Sequence, residues 1–214
     1  MIIPMKTSLK FLMALFLMFA MTAVHAQVKF GPKVGMNLST MTLKSSGISL
    51  DPKMLVGFHA GVISEIGLTE NLFLQPGVLF SSKGSKYELT LLEQTFKFSM
   101  APGVIEVPVN VLYSFGTGSV KLNLFAGPYV ALGITGKTKI DGESQDISYG
   151  SSDEDDMKPF DFGLNFGAGV NINGFLISAQ YGFGLANLAP DTSGDSEMKN
   201  KVLAISMGYL FGPK

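Results

Sequence analysis

The chain has 214 residues, 46% hydrophobic and only 15% charged, against roughly 25% charged in an ordinary soluble domain, a balance that excludes disorder. A net charge of −1, with every one of the 16 basic residues a lysine, excludes the electrostatic footprint of a nucleic-acid binder. The absence of cysteine excludes disulfides, thiolate metal sites, a cysteine nucleophile and a lipid-modified cysteine.

At the N-terminus Lys6 and Lys10 precede an uncharged apolar stretch, 11–23, and Val24-His25-Ala26 sets small residues where a signal peptidase reads. This pattern predicts a secretory signal peptide over 1–26, cleaved before Gln27, and one mature domain over 27–214. The apolar stretch is shorter than the roughly 20 residues of a spanning helix, which favours cleavage over a signal anchor. No later stretch has the length and apolarity of a transmembrane helix. An exported chain can still enter a membrane as a closed barrel, where every backbone N–H and C=O pairs between strands.

Eight windows alternate with a period of two, the strand template. The first, 28–38, sets Phe30, Val34, Met36 and Leu38 against Lys29, Gly31, Lys33, Gly35 and Asn37. In the second, Val56, Phe58, Ala60 and Val62 oppose Gly57, His59 and Gly61; in the third, Leu72, Leu74, Val78 and Phe80 oppose Gln75, Gly77 and Ser81. Ile105, Val107, Val109, Val111 and Tyr113 then oppose Glu106, Pro108, Asn110 and Ser114, and Val120, Leu122, Leu124, Val130 and Leu132 oppose Lys121, Asn123, Gly127 and Gly133. The sixth window opposes Phe160, Phe162, Leu164 and Phe166 to Asp161, Gly163, Asn165 and Gly167. The seventh opposes Phe175, Ile177, Ala179, Tyr181 and Phe183 to Leu176, Ser178, Gln180 and Gly182, and the last opposes Leu203, Ile205, Met207, Tyr209 and Phe211 to Ala204, Ser206, Gly208 and Leu210. The connections at 68–71, 116–119 and 171–174 are tight, the last carrying the hairpin pair Asn173-Gly174, whereas 39–53, 82–99, 135–159 and 187–200 are long and polar. Short turns at one end and long loops at the other predict an all-β, eight-stranded antiparallel up-and-down transmembrane β-barrel of the outer membrane, with periplasmic termini.

A soluble barrel of lipocalin type is the rival, with the apolar face inward and the polar face in water. A water-facing surface is rich in Lys and Glu, but these strands offer mostly Gly, Ser, Asn and Ala, as the crowded interior of a small barrel requires. Aromatics gather as Phe30, Tyr113, Phe115, Phe175, Tyr209 and Phe211 near the short turns and as Phe80, Phe160, Phe162, Tyr181 and Phe183 nearer the long loops, the two girdles of a membrane barrel.

The segments 30–39 (FGPKVGMNLS), 74–84 (LQPGVLFSSKG), Ile105-Glu106-Val107-Pro108 and Phe125-Ala126-Gly127-Pro128-Tyr129, in this order, resemble the PorT-like outer-membrane β-barrel family of Bacteroidota across essentially the whole mature chain. The resemblance implies an outer-membrane barrel of eight strands in a family whose founding member takes part in a secretion and gliding apparatus, most relatives having no assigned activity, and it brings no catalytic residues.

Projecting the polar face inward collects Lys29, Lys33 and Lys121 with Glu65, Glu106 and Asp161, joined by His59, Asn37, Gln75, Asn110, Asn123, Asn165 and Gln180. Balanced charges in a medium of low dielectric predict a plug of ion pairs and hydrogen bonds. The sharper alternative is a narrow polar conduit, gated when a lysine changes carboxylate partner. Catalysis would need His59 as base, and Ser64 on its own strand points to the other face about 17 Å away. No catalytic residue, metal or cofactor is therefore expected.

Outside the membrane, 135–159 carries Asp153, Glu154, Asp155 and Asp156 together with Asp141, Glu143 and Asp146. The run lacks EF-hand spacing, so a solvated acidic loop is expected, with Ca²⁺ bridging to lipopolysaccharide phosphates as the alternative. The hairpin with Leu89, Leu91 and Phe96 is expected to extend the third and fourth strands outward as an interaction ribbon, with packing on its own loops as the alternative, and Ala101-Pro102-Gly103 predicts a bulge where apolar parity changes from even to odd. The expected partners are outer-membrane lipid and lipopolysaccharide, with envelope proteins at the external loops. The expected role is non-enzymatic scaffolding or interaction, with a narrow channel second and a lipid-modifying enzyme third.

Overall fold

The computed structural model describes residues 28–45, 48–50, 52–91, 94–116, 118–152, 154–190 and 196–212. Among the described residues eleven strands form: β1 (Val28–Ser45), β2 (Ile48–Leu50), β3 (Lys53–Gly67), β4 (Leu72–Ser82), β5 (Ser85–Leu91), β6 (Gln94–Phe115), β7 (Val120–Ile140), β8 (Glu143–Asp146), β9 (Phe160–Ile172), β10 (Phe175–Gly184) and β11 (Glu197–Tyr209). Eight of them close a ring in the order β1-β3-β4-β6-β7-β9-β10-β11, and β11 returns to β1 through pairs such as Met36 with Ile205. Every pairing between these strands is antiparallel. Phe30 and Phe211 exchange both main-chain hydrogen bonds, at 2.9 and 2.8 Å, and lock the seam at the short-turn end.

The ring inverts the solvation of a soluble domain. Phe30, Met36, Phe58, Val62, Leu122, Phe166, Ile205 and Met207 lie outward and exposed, while Lys33, Glu65, Glu106, Asp161, His59 and Asn37 are buried inside. Lipid is the medium that makes this arrangement favourable, since neither face would be stable in water. Aromatic pairs mark both rims, with Tyr113 against Phe115 at 4.6 Å and Tyr209 against Phe211 at 4.8 Å on one, and Phe160 against Phe162 at 6.4 Å on the other.

The long polar connections are largely not loops. β1 runs on to Ser45, β7 to Ile140, 85–91 and 94–99 form a hairpin, and β2 and β8 add short edges. At 22 and 21 residues, β6 and β7 are about twice the length needed to cross the bilayer. Their ring neighbours β4 and β9, at 11 and 13 residues, stop short, and β5 and β8 take over beside the β6–β7 pair, so backbone pairing continues beyond the lipid and only the side-chain chemistry changes.

That change explains the parity near Pro102. Gly103 pairs with Thr135 and Val104 with Gly133, so the extra residue is Ile134 on β7, and β6 itself does not flip. From Lys97 to Phe115 the odd positions of β6 stay outward, while Phe98 and Met100 join an apolar core inside the extension. Apolar residues switch parity because the inside of the barrel is polar within the membrane and apolar above it.

Candidate functional site

Small residues inside the barrel let large rings lie flat across neighbouring strands. Gly35 pairs with His59, Gly167 with Phe125 and Gly163 with Tyr129. A Cβ at these glycines would come within 2.5, 2.5 and 2.6 Å of the respective ring, so only glycine leaves the space.

At mid-lumen the Lys83 ammonium bonds Glu106 at 2.5 Å and sits 4.5 Å from the centroid of the Tyr129 ring. Tyr129 donates to Asp161 at 3.2 Å, and the Asn200 amide donates to the same oxygen at 3.1 Å. Lys33 is buried with its ammonium 6.0 Å from the centroid of Phe125. His59 bridges Asn37, at 2.8 Å through Nδ1, and Ser206, at 2.9 Å through Nε2, and the Asn37 amide is held by Phe58, Ser81 and Ser82.

The expected single network is therefore two. Lys29, Lys121 and Glu65 line a separate vestibule of about 570 Å³ at the short-turn end, where Gln75 donates to Glu65 at 2.9 Å. Between it and mid-lumen, Ile63, Leu79 and Leu210 with Leu176 form an apolar layer. The step is visible along β3, where His59, Ile63 and Glu65 follow one another on the inner face. Lys33, His59, Glu106 and Asp161 belong to the middle, and Lys83 joins them, leaving two lysines facing two carboxylates. Sequence reasoning missed Lys83 by assigning 82–99 to a loop. Its main-chain N–H nonetheless donates to Pro102 at 3.0 Å and keeps it in the wall.

The middle of the barrel is filled. Two voids there have about 20 Å³ each, enough for roughly one water molecule apiece. Above them a second apolar layer closes the long-loop end. Met41, Met100, Met157 and Met198 pack there with Ile147, Ala186, Leu188 and Ala189, against Leu43, Phe98 and Tyr149. Lys158 and Leu188 hold this lid through main-chain bonds of 2.8 Å to Leu188 and Met198, and Tyr149 donates to Thr135 at 2.7 Å.

The acidic connection is thus not simply solvated, because Ile147 and Met157 are buried in the lid. Its carboxylates order the turn. Asp155 accepts from the Ser148 hydroxyl and from the Ser152 N–H, both at 2.9 Å, and Asp156 accepts from the Ser148 N–H at 2.9 Å. Hydrogen bonds from Ser152 and Ser148 hold the Asp155 carboxyl below its ordinary range. Glu154 is exposed, and among the described residues no cluster of three His, Cys, Asp or Glu side chains is placed to hold a metal. Asp153, and the side chains of Leu89, Leu91 and Phe96, lie outside the described residues, although the backbone of the latter three is in the β5–β6 hairpin.

Ser206, His59 and Asn37 have the connectivity of a nucleophile, a base and its orienting partner. Three strands bring them together, which no local motif could signal. The arrangement lacks room for an acyl group, since all three are at most 5% exposed and the adjoining voids hold water-sized guests only. Ser206 also lies in register with Gly35 and Ser178 in a continuous sheet, which leaves no turn or helix end to supply oxyanion donors. As chemistry it is a hydrogen-bond chain.

No curated protein sequence matches the chain. Among solved structures, it is similar to Ail, the attachment invasion locus protein of Yersinia pestis, at 15% identity and a TM-score of 0.41, covering 86% of this chain and 99% of Ail, in a structure that also contains the heparin analogue sucrose octasulfate. It is also similar to the outer membrane protein OprG of Pseudomonas aeruginosa, at 13% identity and a TM-score of 0.47, covering 88% and 98% of the two chains. The family model described as outer membrane protein beta-barrel domain matches residues 22–189. With that match over most of its length, and with a closed antiparallel ring whose greasy face is outward, the chain belongs to the outer membrane protein β-barrel domain family.

Proposed function

We propose that this protein is a non-enzymatic membrane anchor whose lumen conducts nothing and whose long connections serve as a scaffold or interaction module outside the cell. In this reading the signal segment leaves before Gln27, the termini and short turns face the periplasm, and the contacts are outer-membrane lipid, lipopolysaccharide and other envelope proteins. The resemblance to PorT-like barrels directs the search for such proteins to secretion and envelope assemblies. The observation that carries the reading is the filled middle, where voids of about 20 Å³ lie between two apolar layers. A hydrated ion cannot cross apolar layers of this kind without a large desolvation cost.

In planar bilayers the purified protein is expected to give no discrete conductance. A stable conductance that changes on Glu106→Gln would overturn the closed lumen in favour of a narrow channel. A fluorophosphonate probe is expected to leave Ser206 unlabelled in the folded protein, and labelling lost on His59→Ala would revive catalysis. For the interaction role, photocrosslinking from position 91 in cells is expected to capture an envelope protein. Failure to capture one, together with an unchanged secreted-protein profile on deletion, removes the secretion reading.

A further inference from the structure

We propose that the outer surface of the β5–β6–β7 extension binds the phosphorylated sugar headgroup of an outer-leaflet glycolipid, through Lys86, Lys97 and Lys139. The inference rests on the reading that the long connections face the cell exterior.

The register builds the site. Ser99 on β6 lies opposite Lys86 on β5 and Lys139 on β7, and Lys97 lies opposite Glu88. Because β6 keeps its odd positions outward, Lys97 and Ser99 share the face that carries Ile105, Val107 and Val109 to lipid. Lys86, Lys97 and Lys139 surround a groove of about 260 Å³ completed by Tyr87, Glu88, Phe98, Ser99 and Gly142.

Lys97 lies close enough to Glu88 to feel its charge, but one carboxylate in the groove does not neutralise three lysines. The Glu88 carboxylate is taken by Lys53, and the Asp141 carboxylate accepts the main-chain N–H of Lys97 at 3.0 Å. Among the described residues no carboxylate lies within 4.0 Å of the Lys86, Lys97 or Lys139 ammonium groups, whereas Lys44 and Lys199 elsewhere on the rim both pair with Glu197. Three exposed cations fixed around one groove on paired strands repel one another, and a multivalent anion relieves that repulsion.

Position selects the anion. On β7 the lipid face ends with Leu132 and Ile134, and Lys139 follows Ile134 by five residues, about 17 Å along the strand and less along the membrane normal because barrel strands tilt. A lysine side chain at that height reaches down to the headgroup layer. A phosphate monoester there brings roughly −1.5 to −2 charges and three acceptor oxygens, while its acyl chains lie along Ile134, Leu132 and Ile105. A soluble anion would gain nothing from that apolar wall.

The test uses the full mature chain in micelles, followed by native mass spectrometry with bisphosphorylated lipid A, dephosphorylated lipid A or inorganic phosphate as the probe. Bisphosphorylated lipid A is expected to bind at least tenfold tighter than the dephosphorylated form, and K86Q/K97Q/K139Q is expected to abolish that difference. Lys44→Gln with Lys199→Gln should leave it intact, and heat-modifiable migration verifies that each variant is folded. Equal binding of the two lipids, or an unchanged triple variant, overturns the proposal, as does displacement of lipid A by millimolar inorganic phosphate, which would assign the groove to a soluble anion. Orientation is read separately. The chain has no cysteine, so Lys97→Cys is the sole target of an impermeant maleimide on intact cells. Absence of labelling there refutes the external placement, whatever the micelle experiment returns.

Discussion

The Lys83–Glu106 pair is the most consequential contact at the scale of single residues. Both side chains are nearly inaccessible, at 3% and 7% exposure, so neither charge has water to fall back on when the other is removed. Glu106→Gln or Lys83→Met alone is therefore expected to cost about 3–5 kcal/mol, while Lys83→Met combined with Glu106→Leu recovers most of the loss. Denaturant unfolding in micelles, read by the gel shift between folded and unfolded forms, checks this cycle. Additive losses in the double variant would show that the pair is not coupled. Glu106 is recognisable in the sequence as an inward charge from its place between Ile105 and Val107. Its partner is not, because Lys83 lies between β4 and β5 in a run of serine and glycine and is held in the wall by its main-chain bond to Pro102. His59 is likewise readable as an inward residue, whereas Ser206, which bonds it from 147 residues away, is brought there only by closure of the barrel.

At the scale of elements, β6 and β7 decide what stands outside the membrane. The unpaired Ile134 offsets β7 so that Lys137 and Lys139 emerge on the outer face while Thr138 is buried. A bulge accommodates one extra residue, so deleting Ile134 removes the bulge and leaves the cross-strand pairs above and below it in register, with Lys137 and Lys139 still outward. Limited proteolysis between 135 and 147 is then expected to match the parent protein while heat-modifiable migration persists. New cleavage there would show that the extension depends on the bend that the bulge supplies. Sequence reasoning placed this irregularity on the opposite strand, at Ala101-Pro102-Gly103, because proline and glycine are conspicuous and an isoleucine is not. The observed position follows from cross-strand register, a non-local quantity.

For the whole molecule, the lumen is stratified: a vestibule with Lys29, Lys121 and Glu65, an apolar layer, a polar middle, and a methionine-rich lid. Each barrier is independent of the next. Leu188→Asp places a charge in a position only 1% exposed and is expected to open the lid to proteases. It is not expected to make the protein conduct, because Ile63, Leu79, Leu210 and Leu176 still close the other side of the charged layer. Discrete conductance in that variant would show that the lid alone holds the seal.

Strand alternation, strand number, the end that carries short turns and the membrane that receives the barrel are local properties, set by which residues can face lipid at every second position; the sequence by itself determined them. Which lysine meets Glu106, which serine meets His59, and the inward packing of Ile147, Met157 and Leu188 as a lid were decided by the tertiary structure. Inside a closed barrel, partners come from strands far apart in the chain, and the offset at each seam, not the residue pattern along any one strand, sets which side chains share a layer.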